Sequence, residues 1–187
     1  VSRRKIVVGI TGASGAPYAK RIVSVLRQKD DIELAVCISQ TAPDVWRQEC
    51  GGDLKEELGI PVWGGRDYDA PFASGSAGWH AMVVIPCSMS SVAKIAHGTS
   101  DTLLTRAADV MLKERRPLIL VPRETPLSLI HLENLTTATR AGAIVLPAMP
   151  SFYSKPTTLE DLVDSVVGRA LDHLGVAHTL SHRWKTP

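Results

Sequence analysis

The sequence predicts an α/β protein, a three-layer, doubly wound fold built on a parallel sheet. Three observations carry that prediction. Five short apolar runs alternate with amphipathic stretches of helical length, the pattern of strands joined by right-handed helical crossovers. Runs such as AMVVIP and LILV are apolar throughout, as strands buried on both faces are. The exits of the runs hold Gly, Ser, Arg, Glu and Tyr, and open α/β sheets bind ligands beyond the carboxyl ends of their strands.

Composition bounds the problem. The chain has 187 residues, 44% hydrophobic and 21% charged, which is enough for one domain with a sizeable core and short for two. No repeat or linker divides residues 1–187. The formal net charge of +2 is too small and too dispersed to predict nucleic-acid binding. Cys37, Cys50 and Cys87 lack metal-ligand spacing and are odd in number, so a reducing compartment is expected rather than a disulfide framework. The opening VSRRKIVVGI has too short an apolar run for a signal peptide, and no run has the length of a membrane span. A cytoplasmic protein is expected.

In chain order, Lys5 to Ile10 is a β-branched strand, followed by Thr11-Gly12-Ala13-Ser14-Gly15-Ala16 and a helix from Pro17 to Gln28. Small residues at a helix start let backbone N–H groups approach an anion, and the helix dipole adds to the attraction. The spacing is neither G-x-G-x-x-G nor Walker A; a plain tight turn is the alternative. Glu33 to Ser39 is the second strand, ending on a hydroxyl and leading to a helix that carries Glu49. Gly51 to Gly78 reads as a long surface loop, of the kind that is functional or disordered.

Ala81 to Pro86 is the third strand, and its exit Cys87-Ser88-Met89-Ser90-Ser91 crowds three hydroxyls onto a strand-to-helix turn. Cys87 is expected to be a buried structural thiol, since no histidine partner is identifiable. The next helix follows Ser100 as its N-cap and buries Leu103, Leu104, Ala107, Ala108 and Met111. Arg106 and Lys113 lie two turns apart with Asp109 between them; a solvated charged face is the alternative to a site. Pro117 is expected to end this helix before the strand Leu118 to Val121 and the loop Pro122-Arg123-Glu124-Thr125.

A helix from Pro126 to Arg140 is expected to start on Thr125; His131 lies inside it, and is expected to be packed or hydrogen-bonded rather than catalytic. Ala143 to Leu146 is the fifth strand, leaving through Met149-Pro150-Ser151-Phe152-Tyr153. Thr157 and Glu160 form a capping box for the last helix, which Gly175 stops, with Arg169 off its apolar stripe. The polar tail 176–187, with Trp184, is expected to pack at a subunit interface.

These segments together resemble the UbiX-type flavin prenyltransferase family, formerly described as aromatic-acid decarboxylases. The resemblance runs end to end, through TGASGAPY at Thr11 to Tyr18, PCSMSSVAKIAHG at Pro86 to Gly98, LLTRAADVMLKERRPLILVPRETP at Leu103 to Pro126, HLENL at His131 to Leu135 and Phe152-Tyr153. It implies a flavodoxin-like, Rossmann-like subunit that binds FMN. The implied reaction moves a dimethylallyl group from dimethylallyl monophosphate to N5 and C6 of reduced FMN. The prenylated FMN serves a UbiD-type decarboxylase. The family also implies a homododecamer with sites between subunits.

Carried over by motif, Gly12, Ala13, Ser14, Ser39, Ser88, Met89, Ser90, Ser91 and Arg123 would bind the flavin. Arg106, Lys113, Arg123, Glu124, Tyr153, Arg169 and Trp184 would surround the prenyl phosphate. Ser14, Glu49, Glu124 and Lys113 would be catalytic, with Ser14 and Glu49 handling protons. Tyr68 stands where some members have Trp, so an aromatic wall there is expected to be less extensive.

The residue types support the same chemistry. The chain has no D-D-x-x-D to hold magnesium; Asp30-Asp31-Ile32-Glu33 does not match it. Arg and Lys are therefore expected to neutralise the departing phosphate without a metal. Two other readings stand beside this one. A flavin-dependent decarboxylase would not need Lys113, Arg123 and Arg169 together, and a flavin carrier would ignore the allyl phosphate.

Overall fold

The computed structural model describes residues 3–180. Six parallel strands form one sheet: β1 Arg4–Ile10, β2 Ile32–Ile38, β3 Val62–Gly64, β4 Ala81–Cys87, β5 Leu118–Pro122 and β6 Ile144–Val145. Their order is β3-β2-β1-β4-β5-β6. Without the three-residue edge strand β3, this is the flavodoxin order; with it, the Rossmann order. In either numbering the chain reverses its direction of progress between β1 and β4.

Seven helices among the described residues cover the two faces: α1 Ala16–Leu26, α2 Ala42–Cys50, α3 Leu54–Leu58, α4 Met89–Ala96, α5 Leu103–Lys113, α6 Leu129–Arg140 and α7 Leu159–Leu174. Alternation along the strands sorts the core. Ile6, Val8 and Ile10 face one side with Ile22, Leu26, Trp46, Val167 and Leu171, so α1, α2, α3 and α7 share that layer. Val7, Met82 and Val84 face the other with Val92, Leu104, Met111 and Ala138, which places α4, α5 and α6 opposite.

The segment 51–78 departs from the expected surface loop. It contains α3 and β3, which pairs with β2 from Val36 against Val62 to Ile38 against Gly64. It also buries Ala70 and Phe72, and the Phe72 ring stands edge-on between Trp63 and Trp79 at centroid distances of 5.6 and 5.7 Å. Three isolated aromatics have no period to read. Their cluster forms only when the segment folds back over the sheet.

Several boundaries also move, each because a neighbouring group makes the better cap. Thr102, not Ser100, caps α5 by accepting from the Thr105 N–H. That helix ends at Lys113, and Arg115 turns with φ 54° before Pro117. Ser128, not Thr125, caps α6, in a reciprocal box with His131, so the helix starts at Leu129. Thr158 with Asp161, rather than Thr157 with Glu160, makes the box that starts α7. Gly175 stops α7 in the left-handed conformation at φ 67°, as expected. Beyond it, Val176 is buried against the chain's own core.

Candidate functional site

The carboxyl ends of β1 and β4 diverge into the crevice that a reversal in strand order creates. Thr11, at the end of β1, is only 2% exposed and ties the two strands together. Its hydroxyl donates to the Pro86 carbonyl at 2.8 Å and accepts from the Ser88 N–H at 2.8 Å. Sequence reasoning passed over Thr11 as part of a turn. Its position one residue past a buried strand was the available signal.

Gly12 and Gly15 shape the turn that follows. A Cβ on Gly12 would lie 2.0 Å from the Thr41 hydroxyl, so only glycine lets the loop after β1 approach the loop after β2. Gly15 has φ 126°, and a Cβ there would also meet the Tyr18 ring at 2.9 Å. Ser39 and Thr41 stand beside this turn with their hydroxyls 3.3 Å apart. Thr41 was another omission from the expected set.

The start of α1 has no capping side chain of its own. Glu49, from the last turn of α2, fills the place. Its Oε2 accepts from the N–H groups of Gly15 and Ala16, both at 2.8 Å. Burial pushes the Glu49 carboxyl up, but hydrogen bonds from the Ser14 side chain and from Gly15 and Ala16, with the Arg123 charge, outweigh it. The net shift is below the ordinary carboxylate value, so Glu49 is ionised at neutral pH. The anion expected at this helix start is thus already supplied by the protein.

Arg123 closes the crevice from the β5 side. Its Nε donates to the Ser14 carbonyl at 3.1 Å, and its backbone N–H donates to the Cys87 carbonyl at 3.3 Å. One residue therefore links the exits of β1, β4 and β5. Ser88 caps α4 by accepting from the Ser91 N–H, and the two hydroxyls are 3.0 Å apart. Ser90 is exposed. The Met89 side chain is buried in the core, so what that residue presents to the crevice is backbone. Cys87 is fully buried, and burial pushes its thiol up to about 12, as befits a structural thiol.

A cradle this close-packed in backbone, rimmed by hydroxyls and one guanidinium, fits FMN. Small residues admit a flat ring, and Arg123 supplies a charge-assisted donor. Gly12, Ala13, Ser14, Ser39, Glu49, Ser88, Ser91 and Arg123 are brought together by the fold of one chain.

Lys113, Arg106 and Arg169 are not. Lys113 ends α5 beside Glu114, where its ammonium forms an ion pair, and the chain then enters the start of β5. Arg169, 59% exposed in its side chain, pairs with Asp172 at 2.8 Å. It lies six residues before Gly175, whose carbonyl accepts from Arg4 at the start of β1 at 3.0 Å. Both cations therefore lie toward the amino-terminal edge of the sheet, away from the crevice, and on opposite faces of it. Arg106 donates to the Ala73 carbonyl at 3.3 Å and borders a cleft of about 630 Å³ with Tyr68, Pro71 and Ser100. Glu124 is exposed and accepts from the Thr125 N–H at 2.9 Å. Tyr153 is exposed on the exit of β6. Trp184 lies outside the described residues.

Among the described residues, no group of three His, Cys, Asp or Glu is placed to hold a metal ion, and no helix is long and apolar enough to cross a membrane.

The flavoprotein family model matches residues 1–171. The flavin prenyltransferase UbiX of Methanocaldococcus jannaschii is 46% identical, across 97% of this chain and 99% of that protein. The UbiX of Salmonella typhimurium is 42% identical over 97% and 98%. Two solved structures superimpose with TM-scores of 0.93. One is a dodecameric FMN-dependent UbiX-like decarboxylase from Escherichia coli, 41% identical over 97% of this chain and all of that one. The other is AnUbiX in complex with FMN and dimethylallyl pyrophosphate, 42% identical over 98% of each. The cysteine decarboxylase SpaF, at 15% identity and a TM-score of 0.63, shares the fold alone. The family model and the sheet and sequence shared end to end with these relatives place the chain in the flavoprotein family and, within it, among the UbiX-type flavin prenyltransferases.

Proposed function

We propose that this protein transfers a dimethylallyl group from dimethylallyl monophosphate to N5 and C6 of reduced FMN, without a metal, and releases prenylated FMN for a UbiD-type decarboxylase. The observation that carries the reading is the pairing, in one crevice, of an ionised Glu49 with the Arg123 guanidinium on either side of the Ser14 turn. Bound reduced flavin supplies the nucleophilic N5 and C6. The cradle of Gly12, Ala13, Ser14, Ser39 and the Ser88–Ser91 turn orients it.

Cations then do what magnesium does in prenyl transfer from diphosphates. Arg123 lies at the crevice, and charge-assisted donors of this kind strengthen as negative charge collects on a departing phosphate. Lys113, Arg169, Arg106, Glu124 and Tyr153 complete the phosphate set in this reading, with Trp184 as an aromatic face toward the allyl group. Lys113 and Arg169 lie on opposite faces near the far edge of the sheet, and in this reading neighbouring subunits bring them. A homo-oligomer follows, and a dodecamer fits the Escherichia coli relative. Exposed Leu129, Ile130, Met149 and Phe152 offer apolar surface for such contacts, and the tail beyond the residues packed on the chain's own core is proposed to join one of them.

In this reading Glu49, held ionised with Ser14 beside it, takes the proton released as the new ring closes; the freed phosphate is the other acceptor. The single α/β domain is proposed to work in the cytoplasm, where free Cys37, Cys50 and Cys87 are at home.

The test incubates the protein with reduced FMN and dimethylallyl monophosphate and weighs the flavin released. A five-carbon gain is expected. An unmodified flavin overturns the proposal, and a parallel reaction with the diphosphate fixes the donor.

A further inference from the structure

Arg169 is a long, exposed side chain, and an i,i+3 carboxylate alone holds such a residue weakly. Here the carboxylate is itself held. Asp172 accepts from the Arg169 Nη1 at 2.8 Å through one oxygen, and its other oxygen lies 3.1 Å from the His178 Nε2. His178 has a side chain only 2% exposed. Its Nδ1 accepts from the Leu180 N–H at 3.2 Å, which leaves the proton on Nε2 to donate to Asp172.

The backbone brings this imidazole into place. Gly175 reverses the chain in the left-handed conformation, and the Val176 N–H donates to the Leu171 carbonyl at 3.0 Å. Arg4 donates to the Gly175 carbonyl from the start of β1. The five residues after α7 thus fold back against its last turns, with Val176 in the core and His178 behind Asp172.

We infer that His178 is a positioning residue: through Asp172 it fixes the Arg169 guanidinium in the orientation in which Arg169 meets the phosphate of the prenyl donor. The inference rests on the reading of Arg169 as a phosphate anchor and adds to it two residues, Asp172 and His178, that touch neither ligand. An arginine fixed in advance loses less freedom when the phosphate arrives.

The experiment compares steady-state kinetics of the assembled enzyme carrying His178→Ala, His178→Gln, Arg169→Ala and the double substitution, with FMN affinity and thermal midpoint measured for each. His178→Ala is expected to raise KM for dimethylallyl monophosphate about tenfold and to leave FMN affinity unchanged. His178→Gln, which keeps a donor near the Nε2 position, is expected to recover most of that loss. In the Arg169→Ala background, His178→Ala is expected to add nothing.

A KM unchanged by His178→Ala while Arg169→Ala raises it overturns the inference alone, and so do additive effects in the double variant. A KM unchanged by Arg169→Ala overturns the anchor reading and this inference with it. Should His178→Ala fail to assemble, Asp172→Asn, which sets an NH₂ against one of the two donors, is measured instead. An unchanged KM there overturns the inference equally.

Discussion

The Glu49 carboxylate accepts from the Gly15 N–H at 2.8 Å, so the last turn of α2 caps the first turn of α1 across the mouth of the crevice. One carboxylate thereby serves the fold and faces the site.

Glu49→Gln keeps the shape and removes the charge. The variant is expected to bind reduced FMN and the allyl phosphate but to turn over at least about 100-fold more slowly, as loss of a general base does. Single-turnover mass analysis of the flavin checks this. Unaltered turnover removes Glu49 from the mechanism.

The same group sets an acid limit on stability. Hydrogen bonds from Ser14, Gly15 and Ala16 and the Arg123 charge outweigh burial and hold the folded pKa below the unfolded 4.5. The contribution of Glu49 is therefore fully present above pH 4.5 and lost as pH falls through the depressed folded value. Thermal midpoints of wild type and Glu49→Gln are expected to differ at neutral pH and to converge below that value.

Arg123→Ala leaves the backbone bond to Cys87 in place and removes the charge-assisted donor to the Ser14 carbonyl. Such bonds are worth about 1.5–3 kcal/mol, so FMN affinity is expected to fall roughly 10- to 150-fold. Fluorescence titration of oxidised FMN reads this directly.

Lys113 and Arg169 lie on helices that cover opposite faces of one subunit; in the proposed assembly they serve different neighbouring sites. Lys113→Ala and Arg169→Ala are each expected to raise KM for dimethylallyl monophosphate and to slow turnover sharply, with residual activity still measurable, while retaining FMN. Co-expression of the two is expected to restore part of the activity, because some mixed sites receive both intact cations. No recovery in mixed particles would show that one subunit supplies both.

Phe72→Ala empties the centre of the Trp63–Phe72–Trp79 cluster. The cost is expected to be about 3–5 kcal/mol, read as a lower chemical-denaturation midpoint.

Strand interiors, the three-layer class and the crevice residues were legible because they are local: an apolar run, a glycine turn and a hydroxyl follow one another in the chain. Helix starts slipped by one to three residues where two candidate caps stand close together, as with Thr157 and Thr158, since geometry chooses between them. The 51–78 segment was misread because its order comes from Phe72 meeting two tryptophans, contacts that leave no period. Thr11 and Thr41 were passed over for a related reason. Each acquires its role from a partner on another strand's exit.

By itself, the sequence determined an α/β sheet, the stretches that would reach its carboxyl edge and the family, because periodicity and motif are carried by neighbours in the chain. Only the tertiary structure decided that Glu49 occupies the start of α1, that Arg123 staples three strand exits, and that Lys113 and Arg169 face away from their own crevice. Those are relations between distant segments, and they are fixed only when the sheet's two faces are packed.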